Sequence, residues 1–314
     1  MVKMKYPLVS VIIASFNRKE WLKKCLPYLK KLNYPRNRLE AIVVDDGSRD
    51  NTKEFLKKNF KWIKVVSLTK HSGTSIAKNV GIKNAKGDYF YFLDSDAYPD
   101  KDALIELVKI AEKDSEIGIC GSKIVNDYDN KIQTAGDYLG VFGQLIHRGM
   151  NEKDVGQFNK IEEVFSFPSC GFLAKRDILK KMRYAFDPTY IIYYEDNEFC
   201  WRTKLLGYKV VFVPTSTVFH RGVHSLEDIK SISIYRTYRN KLWSFRKNFR
   251  FPLKQILLLP VSATVLLGII YWQSKKKWHY GLSVFKHLFD NVNKDLNMNK
   301  ISLKKQMSVL SLKI

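Results

Sequence analysis

The stretch YFYFLDSDAYPD, residues 89–100, decides the fold. Five apolar or aromatic residues suited to the middle of a sheet run into two carboxylates, Asp94 and Asp96, one residue apart. On either side the chain alternates between short β-branched runs and segments with apolar residues at helical spacing. LVSVIIASF is followed by Trp21, Leu22, Cys25, Leu26 and Leu29. EAIVVDDGSRDNT is followed by KEFLKKNF, KVVSLTKHSGTS by IAKNVGIKNA, and DYFYFLDSD by KDALIELVKIAEK. Four strand–helix units in series predict an α/β protein with a Rossmann-like, doubly wound, mostly parallel sheet covered by helices on both faces.

In such a sheet ligands bind beyond the carboxyl ends of the strands. The residues there are Asn17, then Asp45, Asp46, Gly47 and Ser48, then His71 to Gly73, then Asp94, Ser95 and Asp96. Taken singly, each acid reads equally well as a helix cap or an Asx turn. Together they would repel one another without a cation or a neutral hydrogen-bond donor, so the cluster implies a bound metal or a base.

The 314 residues are 45% hydrophobic, enough for one large or two modest cores. The net charge of +23 is unevenly spread: residues 230–314 carry 17 Lys/Arg and 2 acidic residues, and residues 1–229 carry 37 and 29. A basic surface of that kind attracts phosphate, whether of nucleic acid, anionic lipid or a nucleotide. Cys25, Cys120, Cys170 and Cys200 fall in no paired or zinc-like spacing and read as buried thiols in a reducing compartment. The first apolar run is too brief for a signal peptide, so the catalytic part is expected to stay in the cytoplasm.

Five ordered segments, VSVIIASFNR, IVVDDGSRDNT, GTSIAKNVGIKNAKGDYFYFLDSD, SCGFLAKRDIL and YYEDNEFCWRTKLLGYKVVFVPTSTVFHRG, give residues 7–225 a resemblance to a family 2 glycosyltransferase with the GT-A fold, in its rhamnosyltransferase-like, membrane-associated branch. The resemblance implies transfer of a sugar from a nucleotide diphosphate donor to an acceptor hydroxyl, with inversion at the anomeric carbon. It makes Asp94 and Asp96 the DxD that holds Mn²⁺ or Mg²⁺ against the phosphates, with Asp94 and Ser95 near the sugar nucleotide. His220 would be a third metal ligand, with His224 competing for that role. Asn17, Asp45, Asp46 and Lys78 would line the nucleotide pocket, with the base-reading acid either Asp45 or Asp46. Lys78 also reads as part of a plain packed helix. Asp196 would be the catalytic base, with Glu195 the neighbouring candidate. Phe172, Phe186 and Asp187 would shape the acceptor side, while Trp201 and Arg202 read equally as helix packing and a salt bridge. Residues 126–163, without clear period, resemble the variable loop over the acceptor site. The Gln-x-x-Arg-Trp pattern of processive relatives is missing.

The expected domains are residues 1–229, with a nucleotide-binding half up to 100 and an acceptor half from 101, then basic and apolar membrane-associated helices at 230–292 and a basic tail at 293–314. The apolar run Ile256–Trp272 is 17 residues long, at the short limit for crossing a bilayer core of about 30 Å. Basic residues flank it on both sides, which favours a helix lying in the interface of an anionic membrane over a single crossing. The combined expectation is an enzyme at the cytoplasmic face of the membrane acting on a lipid-linked glycan, with no nucleic acid as partner. Transfer to polyprenyl or dolichyl phosphate itself is the enzymatic alternative. The alternatives of another class are a nucleic-acid-binding protein and a non-catalytic sugar-nucleotide-binding subunit.

Overall fold

A computed structural model describes residues 6–140, 144–222 and 231–250, with scattered positions beyond and a short helix at Leu303–Ser308. The four strand–helix units form as the sequence predicts: β1 (Val9–Ser15), α1 (Lys19–Leu29), β2 (Leu39–Asp45), α2 (Thr52–Asn59), β3 (Lys64–Ser67), α3 (Thr74–Asn84), β4 (Tyr89–Asp94), then a short β5 (Ala97–Pro99) before α4 (Ala103–Lys113). Next come β6 (Ile117–Asn126), β7 (Ile132–Thr134), β8 (Asp137–Leu139), β9 (Leu145–His147), β10 (Glu162–Glu163) and β11 (Phe172–Lys175). The chain continues through α5 (Arg176–Leu179), α6 (Glu195–Leu205), β12 (Lys209–His220) and α7 (Ser231–Asn248).

The main sheet runs β10-β12-β6-β11-β4-β1-β2-β3, with β5 beside β12 and β7 beside β6. The four N-terminal strands are mutually parallel. β11 runs antiparallel to both β4 and β6, and the short β5, β7 and β10 also pair antiparallel with their neighbours. The period of two sorts the core. Val9, Val11, Ile13, Tyr89, Tyr91 and Leu93 pack with Leu22 and Leu26 of α1 and Leu104 and Leu107 of α4. Ile12, Phe90 and Phe92 point the other way and pack with Phe172, Phe186 and Phe199. Because both faces are covered, the strands read as continuous apolar runs rather than alternating ones.

β12 is long and irregular. Its pairing with β6 slips between Val213 and Thr217, around Pro214, which has no N–H to give to the ladder. Past the slip, His220 lies opposite Ala97 of β5 and Asn126 of β6. The irregularity thus carries a histidine to the residue next to Asp96.

α7 lies across the boundary expected at residue 229 and docks on the domain. Leu242, Phe245 and Phe249 join Trp201 and Leu205 of α6 in one apolar cluster. Arg239, Lys241 and Lys247, which the sequence presents as part of a basic membrane-facing stretch, are buried here. Most of the apolar run 256–272 and of the tail lies outside the described residues, and no described helix is long and apolar enough to cross a membrane. All four cysteines are free and buried, as expected.

Candidate active site

Three strand ends build the acidic centre. Asp94 closes β4, Asp96 follows in the tight turn into β5 with Ser95 between them, and His220 ends β12. The imidazole Nε2 lies 3.4 Å from Asp96 Oδ1 and 3.8 Å from Asp94 Oδ2, and the Arg221 amide donates to the Asp96 carbonyl at 3.1 Å. Gln133 of β7 fixes the ring: its Nε2 donates to the His220 carbonyl at 3.0 Å, which turns its Oε1 toward Nδ1 at 2.8 Å. Nδ1 therefore carries a hydrogen, and Nε2 is the ring nitrogen turned toward the carboxylates, where it donates when protonated and offers a lone pair when the ring is neutral. Two carboxylates facing one imidazole nitrogen offer donors that suit a divalent cation. Asp96 is held below its ordinary range although burial opposes this, because the protonated imidazole donates to it and adds positive charge. A cation would take the place of that proton.

The nucleotide-side residues are tied together by backbone amides. Asp46 Oδ1 accepts from the Ser72 amide at 2.8 Å and Oδ2 from the Gly73 amide at 2.9 Å, with His71 Nδ1 2.8 Å from Oδ2. Asp45 Oδ1 accepts from the Ser48 amide at 3.1 Å. Asn17, at φ 53°, accepts from the Arg49 amide at 2.7 Å, and its own amide donates to the Ser48 hydroxyl at 2.9 Å. Phe16 and His71 stack with ring centroids 3.9 Å apart.

Lys78 does not stand open to a phosphate. It is buried, donates to Ser169 Oγ, and lies 3.6 Å from Asp94 Oδ1 and 3.9 Å from Glu195 Oε1. Burial works against its charge, and the carboxylates of Asp94, Glu195 and Asp196 outweigh it and raise the pKa. The ammonium thus bridges the metal side of the site to the α6 side.

At the start of α6 the two candidate bases differ. Asp196 Oδ2 accepts from the Ser169 amide at 2.9 Å and Oδ1 from the Asn197 amide at 2.8 Å, which fixes the carboxylate in place. Glu195 faces Lys78 through Oε1, and its buried Oε2 has no hydrogen-bond partner among the described residues. Burial raises both carboxyls, helped at Glu195 by the Asp196 charge, while Lys78 opposes the rise. A carboxylate raised in this way is a better proton acceptor near neutral pH.

The loop feeding α6 is strained. Ile191, Tyr193 and Tyr194 have φ of 67°, 70° and 69°, costly for bulky side chains. It is pinned from two sides. The Ser75 amide of α3 donates to the Ile191 carbonyl at 3.1 Å, and Gly73, at φ 99°, leaves room where a Cβ would lie 2.5 Å from Ile191 Cγ2. From α7, Asn240 Nδ2 donates to the carbonyls of Tyr190, Ile192 and Tyr193 at 3.1, 3.1 and 2.7 Å.

The remaining acceptor-side residues take other places. Phe172 and Phe186 are core, packed against Phe92 at centroid distances of 5.2 and 5.1 Å, and so back the site without lining it. Asp187 is buried and paired with Lys247. Arg202 pairs with Glu198 at 2.8 Å, and Trp201 packs on Phe245 and Phe249. His224 lies outside the described residues. The sequence alone does not single out Gln133, Ser169, Asn240 or Asp137 for the site. Asp137 is fully buried and accepts from Thr134 Oγ1 at 2.8 Å, with His147 Nδ1 at 2.8 Å and Asn197 Nδ2 at 3.4 Å. The hydrogen bond to Asp137 raises the His147 pKa against the effect of burial.

Comparison with known proteins agrees with this geometry. Residues 10–183 match the family described as Glycosyl transferase family 2. The chain is 31% identical over 213 residues to a poly-beta-1,6-N-acetyl-D-glucosamine synthase of Staphylococcus epidermidis, covering 66% of this chain and 48% of the synthase; it therefore spans about half the length of that relative. It is 29% identical over 280 residues, 84% of each chain, to a dolichyl N-acetyl-alpha-D-glucosaminyl phosphate 3-beta-D-2,3-diacetamido-2,3-dideoxy-beta-D-glucuronosyltransferase of Methanococcus voltae. Among solved structures it superposes on GalNAc-T7 with UDP, GalNAc and Mn²⁺ at a TM-score of 0.65 and 19% identity, covering 80% of this chain and 50% of that one. It superposes on the mannosyltransferase PcManGT of Pyrobaculum calidifontis with GDP-Man and Mn²⁺ at 0.56 and 17% identity, covering 97% and 79%. The solved structures share the GT-A fold expected from the sequence. With more than half its length matched by the family, the chain belongs to glycosyl transferase family 2.

Proposed function

We propose that this protein is a metal-dependent, inverting glycosyltransferase that moves a sugar from a nucleotide diphosphate to a hydroxyl of a lipid-linked glycan or polysaccharide precursor. The observation that carries the reading is the placement of Asp94 and Asp96 within 3.8 and 3.4 Å of the same His220 nitrogen, with Lys78 linking Asp94 to Glu195, the residue before Asp196. Asp94, Asp96 and His220 would hold Mn²⁺ or Mg²⁺, which when bound neutralises charge developing on the departing diphosphate. Asp196, oriented by two amides, takes the proton from the attacking hydroxyl. The unpartnered Oε2 of Glu195 is placed to accept from the incoming sugar. Asp46 has both oxygens committed to residues 71–73, which leaves Asp45 to read the base. Asn17 and Ser95 shape the same pocket through their turns.

The acceptor reading draws on the Methanococcus voltae relative, whose name places its acceptor sugar on a dolichyl phosphate. Of the 17 cations of residues 230–314, those other than the buried Arg239, Lys241 and Lys247 suit an anionic cytoplasmic membrane face, where such an acceptor sits. An assay with bare polyprenyl phosphate against its glycosylated form separates this reading from transfer to the lipid phosphate itself. The first test of the donor site is thermal stabilisation by UDP, GDP, dTDP and CDP with and without Mn²⁺. The expected result is Mn²⁺-dependent stabilisation by one base, lost in Asp96→Asn. Stabilisation by none of them in folded protein would overturn the reading.

A further inference from the structure

Cys170 stands two residues before β11, in a place set by the sheet. Gly171 after it, at φ 111°, donates to the Phe92 carbonyl at 2.8 Å and accepts from the Ser122 amide at 3.0 Å. The chain is thereby anchored to β4 on one side and β6 on the other. The Cys170 thiol, 1% exposed, lies at the floor of the acidic centre. Ligand atoms of Asp94, Cys170 and His220 all fall within 4.8 Å of one another. The three come from three different strand ends and offer an oxygen, a sulfur and a nitrogen.

Two details make this trio a metal site distinct from the DxD. Asp94 is divided: Oδ1 faces Lys78 at 3.6 Å, while Oδ2 faces His220 at 3.8 Å and remains for a cation. His220 is already oriented, since Gln133 takes its Nδ1 hydrogen and turns Nε2 inward. A carboxylate, a thiolate and a neutral imidazole together cancel the charge of a dication. Bond lengths of about 2.0–2.3 Å in tetrahedral geometry put ligand atoms roughly 3.5 Å apart; the trio reaches that by closing about an ångström. A thiolate selects zinc-like cations over Mg²⁺ and Mn²⁺, which take oxygen donors.

We propose that Asp94, Cys170 and His220 form a thiolate-containing site for a zinc-like cation that, by sharing Asp94 and His220 with the catalytic cation, excludes it and holds the enzyme inactive. The proposal rests on the reading of Asp94 and His220 as ligands of the donor-site metal. Binding replaces the S–H bond of Cys170 with a sulfur–metal bond, and the proton leaves to buffer. No electron is transferred, and removal of the cation restores the thiol.

The test uses the full metal-free chain and Cd²⁺ alone, followed by the ultraviolet thiolate-to-cadmium charge-transfer band. One equivalent of Cd²⁺ should develop the band in wild type and in Cys200→Ala, and none should appear in Cys170→Ser. Zn²⁺ should abolish the Mn²⁺-dependent stabilisation by the nucleoside diphosphate in wild type and leave it intact in Cys170→Ser. A wild-type protein with a cooperative thermal transition and no band, or a full band in Cys170→Ser, would overturn the proposal. Should Cys170→Ser not fold, His220→Asn keeps the thiol and should weaken Cd²⁺ binding at least tenfold; unchanged affinity would equally overturn it. The band needs no nucleotide, so failure of the donor-site reading would remove the inhibitory role and show itself separately from failure of the thiolate site.

Discussion

The proposed nucleotide half, up to residue 100, and the proposed acceptor half that follows hold Asp46 and Asp137 in different ways. Asp46 is gripped by amides of Ser72 and Gly73, main-chain donors that no substitution at those positions except proline removes. Asp137 is gripped by side chains: Thr134, His147 and, through Asn197, the helix that carries Asp196. At the proposed catalytic residues the difference lies in the segments that deliver them, since Asp196 too is held by amides, those of Ser169 and Asn197. Asp94 and Asp96 are delivered by the end of a central strand and the turn after it. Glu195 and Asp196 are delivered by a strained loop that α3 and α7 hold down from opposite sides. A backbone-held site follows from the sheet, whereas a side-chain-held site depends on partners far away in sequence and is more easily retuned or broken.

The largest expected effect separates the two halves directly. Asp196→Asn keeps an acceptor for the Ser169 amide but removes the base, and kcat should fall roughly 10²–10⁴-fold, with Mn²⁺-dependent diphosphate binding unchanged. Asp96→Asn should do the opposite first, losing diphosphate binding in the same thermal-shift measurement. If Asp196→Asn also lost nucleotide binding, the halves would not be separable and the division of labour would be wrong.

The contrast also explains which features are legible in the sequence. The parallel strands and their terminal acids are local: an apolar run followed at once by Asp45–Asp46 or Asp94-x-Asp96 carries its own meaning, and the period of two sorts the side chains that enter the core. His220 is legible only as a strand-end histidine in a motif. Its meeting with Asp96 depends on the slip at Pro214 and the pairing of β12 with β5. Gln133 and Asp137 sit in the aperiodic stretch 126–163, and nothing within that stretch announces partners at His220 and Asn197, 87 and 60 residues away. Cys170 reads correctly as a buried thiol, but burial alone does not say that it faces a histidine. The basic stretch beginning at α7 has two physical readings in the sequence: arginine and lysine with aromatics fit a membrane surface, and they fit equally well a helix whose cations reach carbonyls and carboxylates of its own domain, as Arg239 and Lys247 do.

A second, smaller break tests how far α7 belongs to that domain. Lys247 pairs with buried Asp187 and lies 3.4 Å from Glu198 Oε1. Lys247→Met leaves buried carboxylates uncompensated and should destabilise the protein by roughly 3–5 kcal/mol, read as a fall in urea midpoint at pH 7. Burial would raise the Asp187 carboxyl, but the Lys247 ammonium and the Thr189 hydroxyl and amide outweigh it and hold it below its ordinary range. With the folded pKa depressed, this stabilisation is present above the unfolded value of about 4 and is lost as pH falls through the folded value. The wild-type acid limb should therefore be steep, and the Lys247→Met limb shallower. Equal limbs would mean that the pair does not form.

The smallest effects give the sharpest comparison, because two substitutions of similar stability cost should differ in function. Asn240→Ala removes the donor shared by the carbonyls of Tyr190, Ile192 and Tyr193, and buried acceptors left without it cost about 1–3 kcal/mol. Asp50→Ala, in the nucleotide half, removes the acceptor for the Lys19 amide at 3.0 Å and the Thr52 amide at 3.2 Å, and losing such a loop tie costs about 1 kcal/mol. The Asp50 change leaves β1 and β2 in register, so kcat should stay within about twofold. The Asn240 change loosens a loop whose positive-φ residues lead directly into Glu195 and Asp196, so kcat should fall tenfold or more while the diphosphate still binds. Asn240→Asp, which keeps the shape but not the donor, should behave like alanine if donation to the three carbonyls is what matters. A kcat that tracks stability alone across all three variants would show that α7 supports the fold without setting the position of the base.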